Sequence, residues 1–392
     1  MPEKPKLLWI GEQPAPANVR AAAAGRWNLS AAPSNAPLAE QLRGASVAIL
    51  NPNGVADDAR RLQELLDAVS ATPAVAVLLL APTSRAWENL AGRGHQVLCA
   101  PQDADARELA ARLDAAAALQ PTIVRLRDEL AAARQASDQA ERTFVELGEE
   151  MRLAARLQRD FLPRRLPEVG PARLGVLYRP ATWVSGDIYD ILRLDETHVG
   201  FYVADAVGHG MPAALLTIFI KKALQTKRIA GHSYEIVPPH EALAELNADI
   251  CGQNLSSCQF CTAVYAVLDV ATLTLEYCRA GHPEPLRIAA DGAMSRLGGP
   301  GCLLGVFPEE QFASQRVQLA RGDRVVLFTD GVEDCLGRRA NGDRLTAESL
   351  FEPLADLPRE ELLFQLSQMV DDLPGDRGPA DDITVLVLDI EP

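Results

Sequence analysis

Aspartates recur in the C-terminal half of the 392-residue chain where apolar runs end, each beside a glycine or a second acid: Ser185-Gly-Asp187, Asp205-Ala-Val-Gly-His-Gly210, Phe328-Thr-Asp-Gly331 and Asp381-Asp382. An Asp at the end of an apolar strand projects its carboxylate from a rigid edge. Glycine beside it lets backbone approach whatever is bound. Carboxylates that converge from separate strands repel one another unless a cation neutralises them. An all-oxygen set suits Mg²⁺ or Mn²⁺, not the Cys and His shell of zinc. Any one of these Asp residues, taken alone, reads better as a turn or helix cap. Four in one domain shift the balance toward a metal site.

Strands must bring those carboxylates together. Period-two alternation marks strands at residues 199–203, 262–268, 272–277, 324–328 and 383–388, with helical stretches at 212–226, 240–250 and 359–370. This pattern predicts an α+β domain on antiparallel sheets over residues 163–392. Residues 1–118 read differently. Apolar runs at 6–10, 46–50, 74–80 and 96–99 alternate with polar, helix-like stretches, and Leu62, Leu65, Leu66 and Val69 share one helical face. Such alternation predicts an α/β domain with a parallel sheet wrapped by helices. Pro and Ala between Pro14 and Pro37 blur the first helix and second strand.

Residues 119–162 join the two parts. Past Pro121, the chain up to Phe161 holds no proline and one glycine. Positions 123, 126, 130, 133, 137, 140, 144, 147, 151, 154, 158 and 161 follow heptad spacing, and ten of these twelve are apolar, with Ser137 and Gln158 as the interruptions. A helix this long and polar on most faces must bury its stripe. A parallel coiled-coil dimer is favoured over a helix folded back on its own domain. Gly148 marks a soft point, and Pro163 ends the helix.

Five ordered segments resemble a known family: Val184-Ser-Gly-Asp-Ile-Tyr-Asp190, Asp205-Ala-Val-Gly-His-Gly-Met-Pro-Ala-Ala-Leu215, Ala280-Gly-His-Pro-Glu-Pro-Leu286, Gly322-Asp-Arg-Val-Val-Leu-Phe-Thr-Asp-Gly-Val332 and Asp381-Asp-Ile-Thr-Val385. They are similar to metal-dependent Ser/Thr protein phosphatases of the protein phosphatase 2C type, in the branch of the bacterial sporulation stage II protein E and the stress regulator RsbU. Leu157-Gln-Arg-Asp-Phe-Leu-Pro163 also looks like that branch. The resemblance covers roughly residues 150–390. It implies a β-sandwich between helices with a two-metal site at one end, holding Mn²⁺ or Mg²⁺. By motif, Asp187, Asp205, Asp330 and Asp381 would be the ligating carboxylates. Ala206 would offer its backbone carbonyl at a position where Gly or Val is commoner. The physical chemistry agrees: two cations about 3.5–4 Å apart activate a bridging water and hold phosphate oxygens for in-line attack, with no nucleophilic Cys or Ser needed.

His209 fits the family's Gly-His-Gly turn. Two roles stay open for it: protonating the leaving seryl oxygen, or stabilising the turn. His282, between Gly281 and Pro283, reads as a turn residue. Asp190 and Asp382 are expected to support or cap their neighbours. Cys258-Gln-Phe-Cys261 is a single CxxC without a matching pair and reads as packing at a strand start.

The N-terminal part resembles a response-regulator receiver domain in strand–helix order, without its chemistry. Where a receiver carries an acidic pair, a phospho-accepting Asp and a Lys-Pro, this chain reads Ile10-Gly-Glu-Gln13, Leu50-Asn-Pro52 and Cys99-Ala-Pro101. Asn51 and Ala100 stand where the acceptor and the Lys would be, so the domain is read as degenerate.

Composition narrows the partners. The formal charge is -15, with 38 Lys and Arg against 53 Asp and Glu, which argues against nucleic acid or an anionic membrane. It also counts against a two-metal nuclease. Seven scattered Cys suggest reduced thiols. The longest apolar run, residues 74–81, is short of the roughly 20 residues of a span, so a cytoplasmic protein is expected. The resemblance implies a phosphoserine or phosphothreonine protein as substrate, an anti-sigma-factor antagonist of the sulfate-transporter and anti-sigma (STAS) fold being the leading candidate. A non-catalytic partner-switching scaffold is the alternative. The four Asp favour the enzyme.

Overall fold

The structure is a computed structural model. It describes residues 4–11, 13–32, 37–51, 59–84, 96–208, 210–231, 233–253, 260–337, 345–373 and 379–392. The chain divides into two compact units, Met1–Phe144 and Val145–Pro392. No helix among the described residues is long and apolar enough to cross a membrane.

The first unit runs β1 (Lys6–Ile10), α1 (Ala17–Ala23), β2 (Asn28–Ala31), α2 (Leu38–Gln41), β3 (Val47–Leu50), α3 (Ala59–Ser70), β4 (Val75–Leu80), β5 (Val97–Pro101) and the start of α4 (Ala106–Phe161). Its five strands are parallel, in the order β2-β1-β3-β4-β5. This is the order of flavodoxin-like doubly wound sheets. Side chains alternate between two cores. Leu7, Trp9, Val47, Ile49, Val75 and Val77 pack with α1 and α4, while Leu8, Ala48, Leu50, Ala76 and Leu78 pack with Leu42, Leu66 and Val69. The side chains of Leu62 and Leu65 lie outside the described set. The blurred second strand is β2, an edge strand. Edge placement tolerates its weak alternation.

Helix α4 departs from the expected boundary. It begins at Ala106 rather than 119 and continues through Pro121. The cause is packing: Leu109, Leu113 and Ala116 bury on the N-terminal sheet, so the helix starts where that sheet needs cover. The division between units falls inside α4, after Phe144, not at 118 or 162. Leu126, Leu130, Phe144 and Leu147, all on the heptad seam, are exposed in the single chain.

The second unit is built from β6 (Ala172–Arg179), β7 (Asp187–Arg193), β8 (His198–Ala206), α5 (Met211–Ala223), β9 (Lys227–Ala230), β10 (Ser233–Ile236), α6 (Pro239–Gly252), β11 (Cys261–Asp269), β12 (Thr274–Ala280), β13 (Leu286–Ile288), β14 (Met294–Arg296), β15 (Gln315–Gln318), β16 (Arg324–Phe328), a π-turn at Val332–Leu336, α7 (Ala347–Phe351), α8 (Arg359–Asp371) and β17 (Ile383–Ile390). Two five-stranded antiparallel sheets form, β15-β12-β11-β8-β7 and β14-β13-β16-β17-β6. Phe201, Val203, Val264, Ala266, Leu327, Leu386 and Leu388 fill the space between them. The outer face of the first sheet packs on α5 and α6, and that of the second on α7 and α8. The expected sandwich between helices is therefore what forms. Each large apolar side chain buried between the sheets contributes on the order of 1.5–3 kcal/mol.

Candidate metal centre

The strand period places the site. On β8 the side chains of Val199, Phe201 and Val203 point between the sheets, so Asp205, two residues on, continues that inward row. The same parity applies on the other strands. Asp187 precedes Tyr189 and Ile191 on β7. Thr262 precedes Val264 on β11, Thr329 follows Val325 and Leu327 past β16, and Thr384 precedes Leu386 on β17. At one end of the sandwich, the apolar core thus gives way to acids and hydroxyls.

Asp187 and Asp205 are direct cross-strand partners. Asp187 is 1% exposed. Its Oδ2 accepts hydrogen bonds from Thr384 Oγ1 at 2.6 Å and Thr329 Oγ1 at 2.9 Å. Gly186 lets the start of β7 close on β8, since a Cβ there would lie 3.0 Å from the Ala206 oxygen. Asp382 locks the neighbouring loop, accepting from the Ala181 amide at 2.7 Å and the Gly186 amide at 2.6 Å.

Asp205, Ala206, Asp330 and Asp381 line one cleft of about 560 Å³. Asp187 sits beneath it and does not reach its wall. His209 lies outside the described residues. Asp190 turns to the opposite face and pairs with Lys221. His282 is buried after β12, and Cys261 is buried at the start of β11, while Cys258 lies outside the described residues.

The electrostatics are those of crowded acids. Burial, then Asp205, pushes the Asp187 carboxyl well above the carboxylate range against the pull of its two threonine hydroxyls. Burial, then Asp330, Asp381 and Asp382, pushes Asp205 up to about 8. Burial and the charges of Asp381 and Asp334 also raise Asp330. No Lys or Arg is among the described residues lining the cleft. Hard oxygen donors, mutually destabilised and without a basic counter-charge, fit divalent cations of the Mg²⁺ and Mn²⁺ kind.

Sequence reasoning missed four contributors. Asp334 stands one helical turn after Asp330, and carboxylate oxygens of Asp330, Asp334 and Asp381 lie within 4.8 Å of one another; the four-residue spacing was the available signal. Thr329 and Thr384 could have been found by strand parity. Gln158, read as a flaw in the heptad, is a buried clamp. Its Nε2 donates to the Ser185 carbonyl at 2.7 Å and to Thr217 Oγ1 at 3.0 Å, and its Oε1 accepts from the Ser185 amide at 2.9 Å. Arg152 stacks 4.9 Å over the Trp183 ring beside it. The end of α4 is thereby fixed to the segment that leads into Asp187.

Residues 195–391 match the family Stage II sporulation protein E (SpoIIE), a span that holds Asp205, Ala206, Asp330 and Asp381 while Asp187 lies upstream of it. The chain is 29% identical to the phosphoserine phosphatase RsbU of Bacillus subtilis (strain 168) over 246 residues, covering 62% of this chain and 70% of RsbU. It is 28% identical to the phosphoserine phosphatase RsbP of the same organism over 220 residues, covering 55% of this chain and about half, 53%, of RsbP. In fold it is similar to the SiaA-PP2C domain of Pseudomonas aeruginosa, with a TM-score of 0.55 and 22% identity over 64% of this chain and 99% of that one. With its match spanning half the chain and its sandwich shared with a PP2C domain, the protein belongs to the stage II sporulation protein E family of metal-dependent, PP2C-type Ser/Thr phosphatases.

Proposed function

We propose that the protein hydrolyses phosphoserine or phosphothreonine on a regulatory protein, using two divalent cations, Mn²⁺ or Mg²⁺. The carrying observation is the meeting of Asp205, Asp330 and Asp381 in one cleft, over the buried Asp187, without a basic side chain among the described lining residues. When bound, the cations would supply an attacking water and neutralise the phosphate oxygens. The residues proposed to hold them are Asp205, Asp330 and Asp381 from the cleft wall, the Ala206 carbonyl, and Asp187 from below. Both threonine hydroxyls bond Oδ2 of Asp187, which leaves Oδ1 as its ligand atom. Asp382 holds the backbone around the site through Ala181 and Gly186.

The partner we favour is a phosphorylated STAS-fold anti-sigma-factor antagonist, in line with the two phosphoserine phosphatases to which the chain is similar. Two further parts of the reading concern input to the enzyme in the cytoplasm. The first unit would serve as a degenerate receiver. Asn51 follows β3 and accepts a hydrogen bond from Gln102 at 2.8 Å, and Ala100 is buried within β5. An amide offers no nucleophile for a phosphoryl group at neutral pH. The exposed seam of α4 would pair with a second copy of the chain as a coiled coil.

Phosphate release from candidate phosphorylated antagonists, with and without Mn²⁺, tests the proposal. The Asp330→Asn variant should lose at least about a hundredfold in turnover while keeping its fold. Near-normal hydrolysis by this folded variant in chelator would refute the mechanism.

A further inference from the structure

One rung of the first sheet carries Asp187, Asp205 and Thr262 side by side on β7, β8 and β11. Directly opposed residues of antiparallel strands point to the same face, and Thr262 lines the same cleft as Asp205. The row ends on a histidine. His282, 1% exposed, sets its Nδ1 2.7 Å from Thr262 Oγ1.

The turn that holds this imidazole is rigid. Gly281 takes a φ of +64°, a conformation that favours glycine, and bridges to Ala263. Arg279 donates to the His282 carbonyl at 2.8 Å. Burial, then the Arg279 charge, holds the imidazole down to about 3, so the ring is neutral and carries one N–H. The Phe328 backbone favours a proton on the ring. Nδ1 is turned to Thr262, and Nε2 is sealed from solvent without a hydrogen bond of normal geometry. With that proton on Nε2, Nδ1 is bare and Thr262 donates its hydroxyl hydrogen to it.

A hydroxyl whose hydrogen is committed presents only lone pairs. It cannot bond a phosphate oxygen, but it can accept from water. We propose that His282, protonated on Nε2, and Thr262 form a positioning pair: the neutral imidazole accepts the threonine's hydrogen and fixes the hydroxyl so that its oxygen accepts a hydrogen of the water that attacks phosphorus, aiming that water's free electron pair. This inference rests on the phosphatase reading above. It gives His282 a role beyond its turn.

The test compares wild type with Thr262→Val, Thr262→Ser, His282→Asn and the double variant Thr262→Val/His282→Asn, on a phosphoserine peptide with Mn²⁺. Thr262→Val should lower kcat about ten- to thirtyfold with KM within about twofold, and Thr262→Ser should recover most of that loss. An Asn carbonyl can stand in for Nδ1 as acceptor, so His282→Asn should cost less than Thr262→Val. Once the hydroxyl is gone, adding His282→Asn should slow the enzyme no further. Nitrogen-15 spectra of the metal-free protein provide a readout independent of activity: His282 should show a protonated Nε2 and a bare Nδ1 from pH 5 to 8. A proton on Nδ1, or wild-type kcat in Thr262→Val, overturns the inference and leaves the phosphatase reading intact. A wild type that releases no phosphate refutes that reading instead, and the spectra still decide the tautomer.

Discussion

Replacing Asp205 with Asn should make the metal-free protein more stable and the metal-loaded protein useless, and the gain should depend on pH. Burial and three neighbouring acids push the Asp205 carboxyl from an ordinary 3.8 up to about 8. The folded state therefore holds a proton that the unfolded chain releases between about pH 4 and 8, so this group makes stability fall as pH rises through that window. At ~1.4 kcal/mol per pKa unit the full penalty at pH 8 is about 5 kcal/mol. Asp205 keeps some contact with solvent, which screens the repulsion, so about 2–4 kcal/mol is the expected effect. In a unit this size that is about 5–10 °C in Tm.

Thermal unfolding of chelated protein at pH 5 and pH 8 measures this directly. At pH 8, Asp205→Asn should melt about 5–10 °C above wild type; at pH 5, where Asp205 is already protonated, the two should agree within about 2 °C. Adding Mn²⁺ at pH 8 should raise the wild-type Tm and leave that of the variant nearly unchanged. A variant no more stable than wild type at pH 8, or equally stabilised at both pH values, would show that Asp205 is not repelled across the cleft by Asp330, Asp381 and Asp382.

Two other perturbations probe the helix that enters the second unit. Gln158→Leu strands the buried amide and carbonyl of Ser185, a loss of about 1–3 kcal/mol for each group left unpaired. It should lower Tm and, by loosening the turn into Asp187, lower turnover as well; unchanged values of both would exclude the clamp. Leu147→Glu puts a charge on the exposed seam and should convert a dimer into the 42.3 kDa monomer; a light-scattering mass that stays at the dimer value would exclude the seam as the interface.

What could be read from residue order alone was whatever repeats with the period of a strand or helix. Asp205 and Asp330 stand out because each closes an apolar alternation, and the same alternation places them on the inner face. β6 and β7 escaped for local reasons. Gly175 interrupts β6, where a Cβ would come 2.7 Å from Leu363, and Asp190 interrupts β7 because its partner is Lys221 of α5. Both interruptions are tertiary facts written on single residues. The start of α4 was equally hidden, since Leu109, Leu113 and Ala116 carry a helical stripe that does not reveal which surface it covers. Gln158 is the sharpest case. A polar residue in a heptad seam reads as a defect until its partners, Ser185 and Thr217, are brought from 27 and 59 residues away. Gly175, Asp190 and Gln158 therefore share a property: each is polar or small at a position where periodicity calls for an apolar side chain, and each is matched by groups distant in sequence. Thr262 obeys the parity rule and His282 lies in a readable turn, but only the fold sets them 2.7 Å apart, which is why a buried histidine with no evident task became a candidate for aiming a water.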